Sequence, residues 1–209
     1  GAIRDLIASN RINGTSVMVG APGFDGDEAR LLLDAVARAT HAAIGLHFTL
    51  TAPFKPLSND YGPTQGGKFL SLPRTMFGSV LGHLERMMIA EEVQAQVAAF
   101  KSAFGRAPDY IDGHQHVHLF PQVRDELLAA MKALTPAAWV RQCGRTTPLS
   151  QRFSDPKGLV LDLLSGTFRR KAAARARSRT LRTSSSGIAG GSVRIRLEMR
   201  RGAAMSCRP

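Results

Sequence analysis

The sequence predicts an α/β domain built on parallel strands. Short β-rich runs alternate with segments of helical periodicity along most of the chain. The run Ala43-Ile44-Gly45-Leu46-His47-Phe48-Thr49-Leu50 is mostly apolar, as strands covered on both faces are. Ligand-type side chains fall at the ends of two strand candidates, the edge at which open α/β sheets and α/β barrels build their sites.

The elements follow in order. Residues 2–9 have amphipathic helical spacing and read as a helix rather than a secretory leader. Asn13-Gly14 is a turn signal before the β-rich run Thr15-Ser16-Val17-Met18-Val19. From Asp27 to Ala39 the apolar residues Ala29, Leu32, Leu33 and Val36 recur at helical spacing, with acids in the first turn. The apolar run containing His47 is the next strand. Residues 51–73 are rich in Pro and Gly and are expected to form a long loop at a substrate rim. A helix pair is predicted over 76–104. A strand entering the histidine cluster follows, then a helix over 122–134 behind Pro121, then a short strand Trp139-Val140-Arg141.

The cluster itself is Asp112-Gly113-His114-Gln115-His116-Val117-His118. If the strand runs through it, alternation sets Asp112, His114, His116 and His118 on one face. Four polar groups on one face cannot form an apolar core, and a metal ion or a substrate is their usual partner. His47 then falls at the corresponding end of a second strand.

Charge and cysteines bound the function classes. The net charge is +12, but residues 169–209 hold 12 Lys/Arg against the single acid Glu198. Residues 1–168 hold 16 Lys/Arg and 15 Asp/Glu, so that region is nearly neutral and has no nucleic-acid footprint of its own. The chain divides accordingly into a 1–168 α/β domain and a basic 169–209 segment. Cys143 and Cys207 are far apart and in no metal-binding spacing, which fits a reducing, cytoplasmic setting. No apolar run approaches the ~18 residues of a membrane span. A homodimer is one assembly open to such a domain.

Two stretches carry a family resemblance. Ile44-Gly45-Leu46-His47-Phe48-Thr49-Leu50, with Lys55-Pro56-Leu57 behind it, resembles one motif of the YdjC-like carbohydrate deacetylases. Tyr110-Ile111-Asp112-Gly113-His114-Gln115-His116-Val117-His118-Leu119-Phe120-Pro121 resembles the other. Thr15-Ser16-Val17-Met18-Val19-Gly20-Ala21-Pro22 is similar to the family's second strand. The likeness covers roughly residues 2–145, and the hopanoid-biosynthesis-associated branch is nearest in character. It implies a distorted (β/α) barrel of the polysaccharide-deacetylase-like type that removes acetyl groups from N-acetylated sugars or glycolipids. It also implies a divalent cation, magnesium or zinc, held by two histidines and one aspartate; the histidines carried over are His47 and His114.

The remaining roles stay open. Asp112 either orients a ligating imidazole or serves as a strand-end turn residue. His116 and His118 line the sugar cleft or support the ligands. Arg141 contacts substrate oxygens or, the favoured reading, pairs with a carboxylate. Phe69 and Tyr61 are expected to cover a sugar ring, and Trp139 to belong to the core. The catalytic acids cannot be named: the family's carboxylate pair belongs to an Asp-Asp-Phe-Gly motif, and no such motif occurs in this sequence. The family's closing Cys-His-Pro is met only by Cys207-Arg208-Pro209, and an arginine cannot act as a neutral acid or base. A metal-dependent deacetylase is therefore the leading expectation. The alternatives are a non-catalytic or truncated family member and a polyanion binder acting through the basic tail.

Overall fold

The computed structural model describes residues 1–141, 143 and 156–183. Its centre is a four-stranded, wholly parallel sheet in the order β1 (Gly14–Val17), β2 (Ala43–Phe48), β5 (Tyr110–Gly113), β6 (Trp139–Val140). Around it lie α1 (Ala2–Ala8), α2 (Gly26–Arg38), α3 (Leu72–Leu81), α4 (Arg86–Phe104), α5 (Pro121–Leu134) and α6 (Pro156–Thr183). The expected α/β architecture with parallel strands is what the chain forms. The four strands make an open sheet; closure into a barrel is not seen among the described residues.

Register and pleat sort the sheet into two faces. Ile44, Leu46, Phe48 and Ile111 are almost wholly inaccessible and merge with α4 residues Ile89, Val93, Val97 and Phe100 in one apolar cluster. α2 adds Ala29, Leu32 and Ala35, and α5 adds Val123, Leu127 and Met131. The alternate positions Ser16, Gly45, His47, Tyr110, Asp112 and Trp139 share the opposite face, because Ser16 pairs with Gly45, Gly45 with Tyr110, His47 with Asp112 and Tyr110 with Trp139. Gly45 is dictated by its neighbour: a Cβ there would lie 2.5–2.7 Å from the Tyr110 ring. That ring stacks in turn on Trp139, centroids 4.4 Å apart. Trp139 is not core as expected; on the edge strand it keeps 41% of its surface exposed.

The helix signals act as local chemistry requires. Asp25 caps α2, its Oδ1 accepting from the Glu28 amide at 2.9 Å. Proline stands in the first turn of α3 and of α5, where no intrahelical donor is lost. At the mouth of β2 and β5, Asp109 accepts from the Ile44 amide and takes both guanidinium nitrogens of Arg106.

The stretch 51–73 is less irregular than its Pro/Gly content predicts. Residues 64–69 form a small antiparallel hairpin, β3 (Thr64–Gln65) and β4 (Lys68–Phe69). Gly66 and Gly67 both take positive φ, the geometry that lets a two-residue turn close such strands. α3 already begins at Leu72. Residues 51–63 do run without regular structure, but they are tied down. The Glu92 carboxylate, fully buried on α4, accepts from the Leu57 and Ser58 amides, the Ser58 hydroxyl and the Gln96 side-chain amide. Gln96 pairs with both backbone groups of Thr49, just past β2.

The second difference lies in the histidine cluster. β5 stops at Gly113, and residues His114–Leu119 coil into a 3-10 segment. Gln115 and His116 sit at φ 50° and 61°, two successive left-handed residues that are not glycine, a conformation costing on the order of 1 kcal/mol or more each. The chain folds back so tightly that a Cβ on Gly113 would lie 2.5 Å from the His118 ring and 2.8 Å from its amide. The single-face arrangement of Asp112, His114, His116 and His118 is thereby broken. α6 runs across the composition change at residue 169 and packs Phe168 and Ala172 on Leu119, while Lys171 pairs with Asp125 at 2.7 Å.

Candidate active site

The site is the carboxyl end of β2 and β5. His47 and Asp112 are register partners, and Asp112 Oδ1 accepts from His47 Nδ1 at 2.7 Å. Asp112 is only 3% exposed. Its other oxygen receives the Ser16 hydroxyl at 3.2 Å and faces the Arg141 guanidinium at 3.5 Å. Burial alone would push this carboxyl up; the hydrogen bond and charge of His47, with Ser16 and Arg141, outweigh it and hold the group below the usual carboxylate range. Asp112 is thus an anion that fixes the His47 tautomer, leaving Nε2 as the ring nitrogen turned to other partners.

His114 opens the 3-10 segment and meets His47 edge to face, ring centroids 5.5 Å apart. Burial, and then the neighbouring His47, lower its pKa and favour the neutral ring. The half-buried Phe54 also meets His114 edge-to-face, ring centroids 5.4 Å apart. Thr51 donates to the Gln115 side-chain carbonyl at 2.9 Å, joining the 51–63 loop to the histidine segment. That loop therefore borders the site through Thr51 and Phe54. Tyr61 and Phe69, expected to cover a ligand ring, stack edge-to-face on each other inside the core instead.

The other two histidines diverge. His116 is half-buried, its pKa lowered by burial and then by the Arg141 charge. His118 is fully buried against Phe168. Its Nε2 lies 3.2 Å from the Arg141 carbonyl, and its Nδ1 has no hydrogen-bond partner among the described residues. Burial, with His116 nearby, pushes it down to about 4, so it is neutral and structural. Arg141 pairs with Asp112 and keeps 46% of its side chain exposed. The tail motif Cys207-Arg208-Pro209 lies outside the described residues.

Reasoning from sequence missed three contributors: Ser16, Phe54 and Glu92. Ser16 left one signal, a polar residue in mid-strand. Glu92 left none, since an acid in a helix ordinarily faces water.

A divalent cation fits the two imidazoles. Two rings bound to one ion through bonds of about 2.1 Å have centres roughly 5 Å apart, close to the separation here. His47 Nε2 is released by Asp112, and the lowered His114 pKa favours the ligating form. A third protein donor is not grouped with them: no set of three His, Cys, Asp or Glu side chains is placed to share an ion among the described residues.

An open parallel α/β sheet with paired imidazoles at its carboxyl edge defines the class of protein. Residues 1–201 match the YdjC-like protein family, and the chain belongs to it. It is 31% identical over 102 residues to a human carbohydrate deacetylase, covering 47% of this chain and 32% of that protein. It is 42% identical over 86 residues to a chitooligosaccharide deacetylase of Serratia marcescens, covering 38% and 31%. The chain thus spans about a third of the length of these relatives. Its fold also matches a crystal structure from Enterococcus faecalis described as a cellobiose-phosphate cleavage protein. The TM-score is 0.52 at 24% identity, over 77% of this chain and 58% of that one.

Proposed function

We propose that this chain carries the ligand-bearing part of a metal-dependent hydrolase that removes an acetyl group from an N-acetylated sugar or glycolipid. The observation that carries the reading is the His47–His114 ring pair with Asp112 locked on His47 Nδ1. The deacetylase names of the relatives support the same chemistry. The barrel expected from the resemblance is kept here as the architecture of the whole protein.

His47 through Nε2, and His114, would hold the cation. Bound there, it supplies Lewis acidity toward the acetyl carbonyl and the attacking water. Asp112 keeps the His47 tautomer and stays anionic. Phe54 presents an apolar edge beside His114, suited to the face of a sugar ring or to an acetyl methyl. Arg141 is exposed enough to reach substrate oxygens while its guanidinium holds Asp112. Proton transfer to the leaving amine needs a further acid or base; no described residue is placed for it with the geometry of Asp112 on His47.

The test is acetate release from a chitooligosaccharide by the 209-residue chain, with and without added zinc or magnesium. It is run beside the same chain preceded by a strand ending in Asp-Asp-Phe-Gly. Release by the extended chain alone, dependent on metal and abolished by His114→Ala, is the expected result. Absence of release from both, with the fold intact, favours the non-catalytic reading.

A further inference from the structure

Ser16 is the least expected member of the site. It lies on β1, one strand further from β5 than His47, yet its hydroxyl reaches Asp112 Oδ2 at 3.2 Å and lies 3.3 Å from His47 Nδ1. A hydroxyl has one proton to give, and a carboxylate can only accept. The Ser16 proton therefore goes to Asp112.

We infer that Ser16 and Asp112 form a positioning relay: Ser16 holds Asp112 Oδ2, and Asp112 Oδ1 thereby keeps His47 in the Nδ1–H form with Nε2 directed at the site. The alternative holder of Oδ2, Arg141, is longer at 3.5 Å and about half exposed, so water competes for it. Within the sheet, Ser16 is the donor to Asp112 Oδ2. The relay spans three adjacent strands, so the histidine geometry is set by sheet packing rather than by the mobile end of one side chain. This inference deepens the proposed deacetylase site and depends on that reading only for its catalytic consequence.

The experiment reads the imidazole directly. Ring nitrogen-15 shifts of His47 are recorded by NMR in the 209-residue chain at pH 8, assigned with His47→Gln. The wild-type chain and Ser16→Thr are expected to show a single Nδ1–H tautomer. Ser16→Ala is expected to show a mixture of tautomers. Where Ser16→Ala does not fold, Ser16→Cys, whose thiol is a weaker donor, against Ser16→Thr decides. Folded Ser16→Ala with wild-type ring shifts, or a wild-type ring already in the Nε2–H form, would overturn the relay. A correct tautomer without acetate release from the extended chain would instead sink the deacetylase reading and leave the relay standing.

Discussion

Asp112 and His47 face each other across the β2–β5 register and are joined at 2.7 Å through His47 Nδ1. The two residues are 65 positions apart in sequence. The parallel pairing of their strands brings them together, and this bond sets which nitrogen His47 offers the site.

Asp112→Asn should therefore be damaging although it is nearly isosteric. The amide can donate to His47 as readily as accept, so the tautomer is no longer enforced. Losing an outer partner of a ligating histidine typically costs roughly 10–100-fold in metal affinity or activity. Zinc titration and acetate release with the extended chain check this. Arg141→Ala should change the same quantities only a few-fold, because its partnership is long and exposed. Equal effects from the two substitutions would contradict the hierarchy.

Gly45→Ala should destabilise through one neighbour. The added methyl would enter the Tyr110 ring at 2.5–2.7 Å, and overpacking of this kind costs about 1–3 kcal/mol. In a Tyr110→Ala background the same change should be nearly neutral. A double-mutant cycle by urea unfolding measures the coupling; an unchanged cost in the Tyr110→Ala background would show that the strain lies elsewhere.

Glu92→Ala should loosen the loop at the site without reaching the ligands. Its carboxylate accepts from two backbone amides, one hydroxyl and one side-chain amide. Hydrogen bonds to a charged group are each worth about 1.5–3 kcal/mol, so a loss of at least ~2 kcal/mol is expected. Limited proteolysis should report faster cutting within 51–63. Cutting confined to other segments would show that Glu92 does not organise this loop.

His118 should make stability fall as the pH is lowered. Its folded pKa is about 4 against 6.5 for the free side chain, so between those values the unfolded chain takes up the proton and the folded chain does not. Stability is full above the unfolded value and declines as pH falls toward the folded one. The full depression corresponds to on the order of 3 kcal/mol. His118→Gln should be less stable at pH 7 but lose less between pH 7 and pH 5. Parallel pH–stability curves for the two proteins would refute this.

How much of this the sequence announced follows from what each signal depends on. Helical periodicity over 27–39 and 122–134, and the apolar run at 43–50, are local properties, and the matching elements formed within a few residues of their expected bounds. His47 and His114 carry rare ligand-type side chains at strand ends, so they were visible without coordinates. The alternation expected for His114, His116 and His118 was not realised. Left-handed backbone at Gln115 and His116 and the fold-back onto Gly113 are held by packing of His118 against Phe168, a partner 50 residues away. Tyr61 and Phe69 were misplaced for a similar reason: an aromatic in a Pro/Gly-rich stretch carries no mark of whether the loop lies over a cleft or over the core. By itself, then, the sequence determined the element types, the parallel class and the two candidate ligands, because those depend on period and side-chain chemistry. The tertiary structure alone decided that Ser16 and Asp112 converge on the His47 imidazole and that Phe54 is the aromatic beside His114. Those contacts arise from strand register and helix packing, which join residues whose local sequence says nothing of one another.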